Sequence, residues 1–289
     1  MPLTMIKIKK TEHNKEVGIT VSDFDLNNDL SPSLINEIQD LINNYKLVVF
    51  KNQKLTDNAL SDFALNFGPP FTPDNNFPVL GSQDSLDSIV VVGNQADEYE
   101  KSYLGFQEVL PHSDHQWLKC PSAASMLYAV DIHKYSAPTI WYDMVQAYNE
   151  LDNVIKEFID ELKIITYNPF YRPFGSVVAK YINRTIDVPP GNIFPHPIVR
   201  IHPLTKEKIL YMNIAYEVEF ENISFNDGVE LFNKLKNHII NLDYKYEHNW
   251  ENNDLVFWDN RATIHYRPPF DSNVRRVLKR ITIGGEKPF

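Results

Sequence analysis

The stretch Pro111-His112-Ser113-Asp114-His115-Gln116-Trp117 sets an imidazole and a carboxylate two positions apart. In an extended segment, residues so spaced share a face, so His112 and Asp114 read as half of a metal site. A lone downstream histidine would complete it. The C-terminal run Phe257-Trp258-Asp259-Asn260-Arg261-Ala262-Thr263-Ile264-His265 supplies one, just ahead of the turn-forming Arg267-Pro268-Pro269. Two histidines and one carboxylate on one side of an ion leave the other side open, which is the donor set of non-haem Fe(II) oxygenases. The open positions would admit a cosubstrate and dioxygen. His-x-Asp alone is weak, since the chain has nine histidines and one such pair can arise by chance.

A second group of residues strengthens it. Val274 to Ile283 reads as a strand whose alternation puts Arg276, Leu278, Arg280 and Thr282 on one face. Two guanidinium groups on a buried face are costly unless each meets an anion. A planar guanidinium matches a carboxylate with two parallel hydrogen bonds, so one arginine could hold a dicarboxylate cosubstrate and the other an anionic substrate. A solvated basic face, or ion pairs to some of the 38 acidic residues, is the alternative reading of this segment.

The elements that must position these groups are mostly short strands. Ser31 and Pro32 open a helix with Leu34, Ile38, Leu41, Ile42 and Tyr45 at helical spacing. Leu47-Val48-Val49-Phe50 follows as a strand, and Thr56 opens a second helix expected to end at Gly68. Strands are expected at 89–92, 122–130, 139–142, 198–202 and 209–213, with helices from Val145 through Leu162 and from about Asn226 to Ile240. Many short strands and few long helices imply a mainly β fold with flanking helices (α+β), built on a double-stranded β-helix of the jelly-roll type.

The 289 residues would suggest two domains by length alone, but β barrels and sandwiches of this size are routinely single. One domain over 1–289 is therefore expected, with 1–68 as flanking strands and helices. The turn-rich 69–110 and the proline-rich 167–197 would serve as active-site loops, and the acidic stretch within Asn94 to Gln107 is either a lid or solvated surface. Cys120, the single cysteine, cannot form an internal disulfide and is expected to be a small buried apolar residue.

A net charge of −10 argues against nucleic acid or an anionic membrane as partner, while leaving room for a small anionic substrate in a locally basic pocket. With no signal-peptide pattern and no apolar run near about 20 residues, a cytoplasmic location is expected.

Taken as an ordered set, these residues resemble the Fe(II)/2-oxoglutarate-dependent dioxygenases of the taurine dioxygenase (TauD/TfdA) type. The set is His112-x-Asp114, Thr139 placed 25 residues after Asp114, Trp258-Asp259-Asn260-Arg261 leading to His265, Arg276 placed 11 residues after His265, and Arg280 placed 15 after it. The resemblance covers about Val17 to Phe289. It implies that His112, Asp114 and His265 ligate Fe(II), that Thr139 and Arg276 bind the distal carboxylate of 2-oxoglutarate, and that Arg280 meets the substrate's anion. Trp117 and Tyr216 fall where the family has pocket aromatics, though both could equally be core, and His115 either faces the substrate or does nothing.

Two departures stand out. Ser136-Ala137-Pro138-Thr139 replaces the usual Gly-Gly-Asp-Thr, and the taurine enzyme's substrate-binding histidine falls on Pro73. The second turns expectation away from taurine and toward tailoring of a small anionic or amino-acid-derived substrate, with sulfonate catabolism, desaturation and isonitrile formation as alternatives. Hydroxylation is expected over halogenation because Asp114 is present. A catalytically silent barrel that binds a metal or an organic anion is the alternative from another class. A homo-oligomer is a family-level expectation.

Overall fold

Leu255–Asp259 is buried along its whole length because both of its faces are covered. Val256 and Trp258 point one way, into a core shared with Leu47, Val49, Leu127, Ala129, Trp141 and Leu278. Leu255 and Phe257 point the other way and pack with Val48, Phe50, Met126 and Ile281 under two helices. The period-two alternation of a strand thus serves two cores at once. The computed structural model that shows this describes residues 7–10, 17–72, 89–94, 103–171, 180–183 and 189–289.

Around this strand lies an eight-stranded sheet in the order Lys7–Lys10, Ile19–Ser22, Leu47–Phe50, Leu255–Asp259, Ala124–Ile132, Arg276–Ile283, Ile89–Gly93, Tyr103–Leu104. Its central pairings are antiparallel, and parallel pairs occur toward its edges. Facing it is an antiparallel four-stranded sheet, Lys245–His248, Thr139–Asp143, Thr263–Arg267, Val109–His112. Trp141 and Tyr246 of this second sheet fill the space between the two. Its outer face, with Ile264 and Tyr142, is covered by Met144–Asn149, Asn153–Ile159, Phe225–Ile240 and smaller strands. The fold is mostly β with few helices, and no helix among the described residues is long and apolar enough to cross a membrane.

Ser31 and Thr56 cap the first two helices, accepting from Leu34 N and Ala59 N as their sequences predict. The second helix ends at Leu65 instead of reaching Gly68, because the Asn66 side chain donates to the carbonyls of Asp62 and Phe63 and satisfies the last turn. The helix expected through Leu162 is two, Met144–Asn149 and Asn153–Ile159, the first capped by Asp143 accepting from Val145 N and Gln146 N.

Candidate metal and cosubstrate centre

His112 ends its strand directly opposite His265 in the antiparallel register of the second sheet. Opposed residues on adjacent strands lie side by side, and the two imidazole rings have centroids 4.2 Å apart. Asp114 reaches them by a route different from the extended segment expected from its spacing. The chain leaves the strand after His112 and turns, and Asn260 holds the turn in place. Asn260 Oδ1 accepts from Asp114 N at 2.9 Å, and its Nδ2 donates to Asp114 O at 2.9 Å and to Ser122 O at 3.1 Å. Ser113 Oγ donates back to Asn260 O at 2.7 Å. One ligand atom from each of His112, Asp114 and His265 then lies within 4.8 Å of the others.

The electrostatics suit a cation. His112 Nδ1 lies 2.8 Å from Leu110 O, which fixes the proton there and leaves Nε2 as the lone-pair donor, 3.7 Å from Asp114 Oδ1. Burial lowers the His265 pKa to about 3, with His112 and Arg280 adding to the effect, so its imidazole is neutral at any ordinary pH. His265 Nδ1 is buried and has no hydrogen-bond partner among the described residues. Burial opposes ionisation of Asp114, but the Arg280 guanidinium beside it outweighs that cost and holds the carboxyl well below the usual carboxylate range. Two imidazoles, that of His265 neutral, and an ionised carboxylate fit a divalent transition metal such as Fe(II).

On the facing sheet, Arg276 is almost wholly buried at 2% exposure, and among the described residues no carboxylate pairs with it. Its Nε donates to Ala137 O at 3.2 Å and its Nη2 to Thr139 Oγ1 at 3.0 Å. Burial, with Arg267 behind it, lowers the Arg276 pKa to about 9, so it stays charged at neutral pH. A buried cation without a counter-charge is costly, and a carboxylate arriving beside it removes that cost. The centre therefore fits a dicarboxylate as well as a metal.

Arg280 shares the face of Arg276, with Leu278 between them in the inter-sheet core, but a bulge between Val277 and Leu278 interrupts the ladder. Its Nη1 donates to Asp114 Oδ1 at 3.2 Å, and its buried Nε has no partner among the described residues. A metal taking that same Asp114 oxygen would free this guanidinium for another anion. An aromatic wall stands beside the triad: Trp117 meets Tyr216 edge-on at 5.2 Å and Phe170 at 5.7 Å, and Tyr216 lies 5.8 Å from the His112 ring. His115 is buried at φ 62°, stacked on Phe71 at 4.1 Å and hydrogen-bonded to Ser122 Oγ at 3.0 Å.

The description "Taurine catabolism dioxygenase TauD, TfdA family" matches residues 8–282. The chain belongs to the TauD/TfdA family. An alpha-ketoglutarate-dependent 2,4-dichlorophenoxyacetate dioxygenase of Cupriavidus pinatubonensis is 30% identical over 91% of this chain and 92% of its own length. An alpha-ketoglutarate-dependent sulfate ester dioxygenase of Pseudomonas putida is 25% identical over 94% of this chain and 88% of its own. Among solved structures, a taurine dioxygenase from Burkholderia xenovorans superposes with a TM-score of 0.77 at 26% identity, covering 98% of this chain and 90% of that one.

This TauD/TfdA member is an Fe(II)- and 2-oxoglutarate-dependent dioxygenase acting on a small molecule, and its relatives give no support to a silent binding barrel. Of the residues singled out in the sequence, the structure brings His112, Asp114 and His265 together, with Arg280 on Asp114, Tyr216 and Trp117 beside His112, and Arg276 on Thr139. The sequence reading missed Asn260 and Trp250 as members of the site. Asn260 was in view within the Trp258-Asp259-Asn260-Arg261 motif, whereas nothing in the sequence marks which partner the Trp250 indole finds. Cys120 is exposed rather than buried, because it follows Lys119 where the chain surfaces after Leu118. Pro73 and most of the acidic stretch after Asn94 lie outside the described residues. Two cavities, of about 300 Å³ beside Tyr181 and Phe225 and about 60 Å³ beside Gly68 and Ile283, lie apart from the triad.

Proposed function

We propose that His112, Asp114 and His265 ligate the iron, that Thr139 and Arg276 hold the distal carboxylate of 2-oxoglutarate, and that the enzyme hydroxylates a small anionic or amino-acid-derived substrate. The observation that carries this reading is the convergence of two imidazoles and one carboxylate within 4.8 Å, facing the same space between the sheets as the buried Arg276 guanidinium. The two facing sheets are read as a double-stranded β-helix, and the whole chain as one catalytic domain.

Bound Fe(II), with 2-oxoglutarate and dioxygen, supplies the oxidising power: one oxygen atom goes to the substrate carbon and the other to succinate, with release of CO2. The protein's own residues do the positioning. Arg276 and Thr139 anchor the cosubstrate by its distal end, so the orientation of its keto-acid end follows from that anchor. Arg280 supplies positive charge for a substrate anion, and its Nε is a buried donor with no acceptor among the described residues. Trp117 Nε1 is a second such donor, and the Tyr216 hydroxyl is held in its neutral form by burial, with Asp114 nearby. Trp117, Tyr216, Phe170, Phe71 and His115 exclude water around the reacting carbon. Sulfate ester and 2,4-dichlorophenoxyacetate, named for two relatives, are both anions, which supports an anionic substrate.

The deciding experiment is an anaerobic titration of metal-free protein with Fe(II) and then 2-oxoglutarate, followed by the visible charge-transfer band of a chelated keto acid. Wild type gives the band, Arg276→Ala gives it only at raised 2-oxoglutarate, and His265→Ala gives none. Iron binding by wild type without a band would sink the reading.

A further inference from the structure

Thr139 is the first residue of its strand, and the antiparallel register places His248 directly opposite it. Two residues beyond His248, Trp250 folds back so that its indole Nε1 donates to Thr139 Oγ1 at 3.0 Å. Arg276 Nη2 donates to the same oxygen, also at 3.0 Å. A threonine hydroxyl has two lone pairs and one proton. Both lone pairs are therefore taken by donors, and the proton has no acceptor among the described residues. Thr139 can act toward any further group only as a donor.

We infer that Trp250 is a positioning residue for the cosubstrate: by occupying one lone pair of Thr139, its indole N–H forces the threonine proton outward toward an incoming carboxylate. This rests on the assignment of Thr139 and Arg276 to the distal carboxylate proposed above. Without the indole donor the hydroxyl could turn its free lone pair toward the carboxylate, an acceptor facing an acceptor. With it, the hydroxyl and the guanidinium present donors only, which suits a carboxylate and disfavours a neutral or cationic group.

The turn carrying Trp250 is built to hold that direction. His248 Nε2 meets Asp254 Oδ2 at 3.0 Å, and Asp254 Oδ2 also accepts from Glu251 N at 3.0 Å and from Lys51 Nζ at 2.9 Å. The His248 ring stands edge-on to the indole, with centroids 4.6 Å apart. Trp250 is itself buried, against Trp141. Among the described residues neither Trp250 nor His248 makes a hydrogen bond or ring contact with His112, Asp114 or His265, so loss of the indole N–H should act on 2-oxoglutarate and spare iron.

The test is a double-mutant cycle with Trp250→Phe and Thr139→Val, reading the dissociation constant of 2-oxoglutarate on the Fe(II) protein without oxygen, and KM against kcat in turnover. Trp250→Phe should weaken 2-oxoglutarate about three- to tenfold, raise its KM by the same factor, and leave iron affinity and kcat within about twofold. In the Thr139→Val background the same change should have no further effect, because the hydroxyl it orients is gone. A loss that persists undiminished in that background, or wild-type affinity in Trp250→Phe, overturns the inference. Should Trp250→Phe not fold, a benzothiophene analogue of tryptophan at this position keeps the shape, lacks the N–H and is read the same way. Failure of wild type to bind 2-oxoglutarate at all would instead overturn the site assignment on which the inference depends.

Discussion

Asn260→Ala tests how the metal centre is held together. The Asn260 side chain is 1% exposed and pairs with both the N–H and the carbonyl of Asp114 at 2.9 Å. Removing it leaves two buried backbone groups of a ligand residue without partners, at about 1–3 kcal/mol each. The sum, about 2–6 kcal/mol, is an upper bound, because the turn can relax or admit water. What the free protein recovers by relaxing it must give up again when a metal requires the turn in its original position. The loss therefore divides between stability and metal affinity, and outer partners of metal ligands are typically worth about 10–100-fold in affinity. Asn260→Ala should thus weaken Fe(II) or Mn(II) by about 10–100-fold in anaerobic titration and lower the apo Tm by at most roughly 10 °C. Ser113→Ala removes only the 2.7 Å bond to Asn260 O and should cost about 0.5–1.5 kcal/mol, with a correspondingly smaller change in metal affinity. Wild-type metal affinity in folded Asn260→Ala would show that Asp114 needs no such clamp, and the reasoning would be wrong.

Two further outcomes follow from the same geometry. A Cβ at Gly93 would lie far inside contact distance of the Arg276 backbone carbonyl, an atom that cannot swing aside, so Gly93→Ala should displace the start of the strand Arg276–Ile283. It should lower Tm and raise KM for 2-oxoglutarate severalfold while iron binding persists; an unchanged KM would show that the strand start tolerates the shift. The pH dependence has a definite sign. Burial and Arg267 depress the Arg276 pKa to about 9, so the folded protein without cosubstrate bears a cost for holding this charge at neutral pH, and an arriving carboxylate relieves it by raising the pKa. Arg276 should therefore leave 2-oxoglutarate affinity flat from pH 7 to about 8.5, with a decline of up to tenfold per unit above about 9. Affinity that stays flat through pH 10.5 in calorimetric titration would show that the Arg276 proton is not needed.

What could be read from the sequence, and what could not, divides by whether a residue's role is fixed by backbone spacing. His112, His265, Thr139, Arg276 and Arg280 lie on or at the ends of strands, where period-two alternation sends a side chain to a known face, and all five face the space between the two sheets. Asp114 lies just past a strand end, and there the spacing argument placed the carboxylate beside the histidines by a path the structure does not take. A two-residue offset gave the correct face for an extended chain, whereas in the structure a turn held by Asn260, 146 positions away, delivers the carboxylate. Trp250 and Asn260 were invisible as site members because their roles lie in which polar atom meets which, a pairing between segments remote in sequence that no local pattern encodes. Burial of Cys120 was inferred from residue type, and the exposed turn beginning at Lys119 overrode it. Arg280 illustrates the same limit electrostatically. Its strand position foretold a buried guanidinium in need of an anion, and in the structure that anion is Asp114. The same carboxylate oxygen is a candidate metal ligand, so metal binding and the availability of Arg280 to a substrate are linked through one atom. Alternation along the C-terminal strand could place the arginine, but that linkage depends on a turn closing 166 residues earlier in the chain.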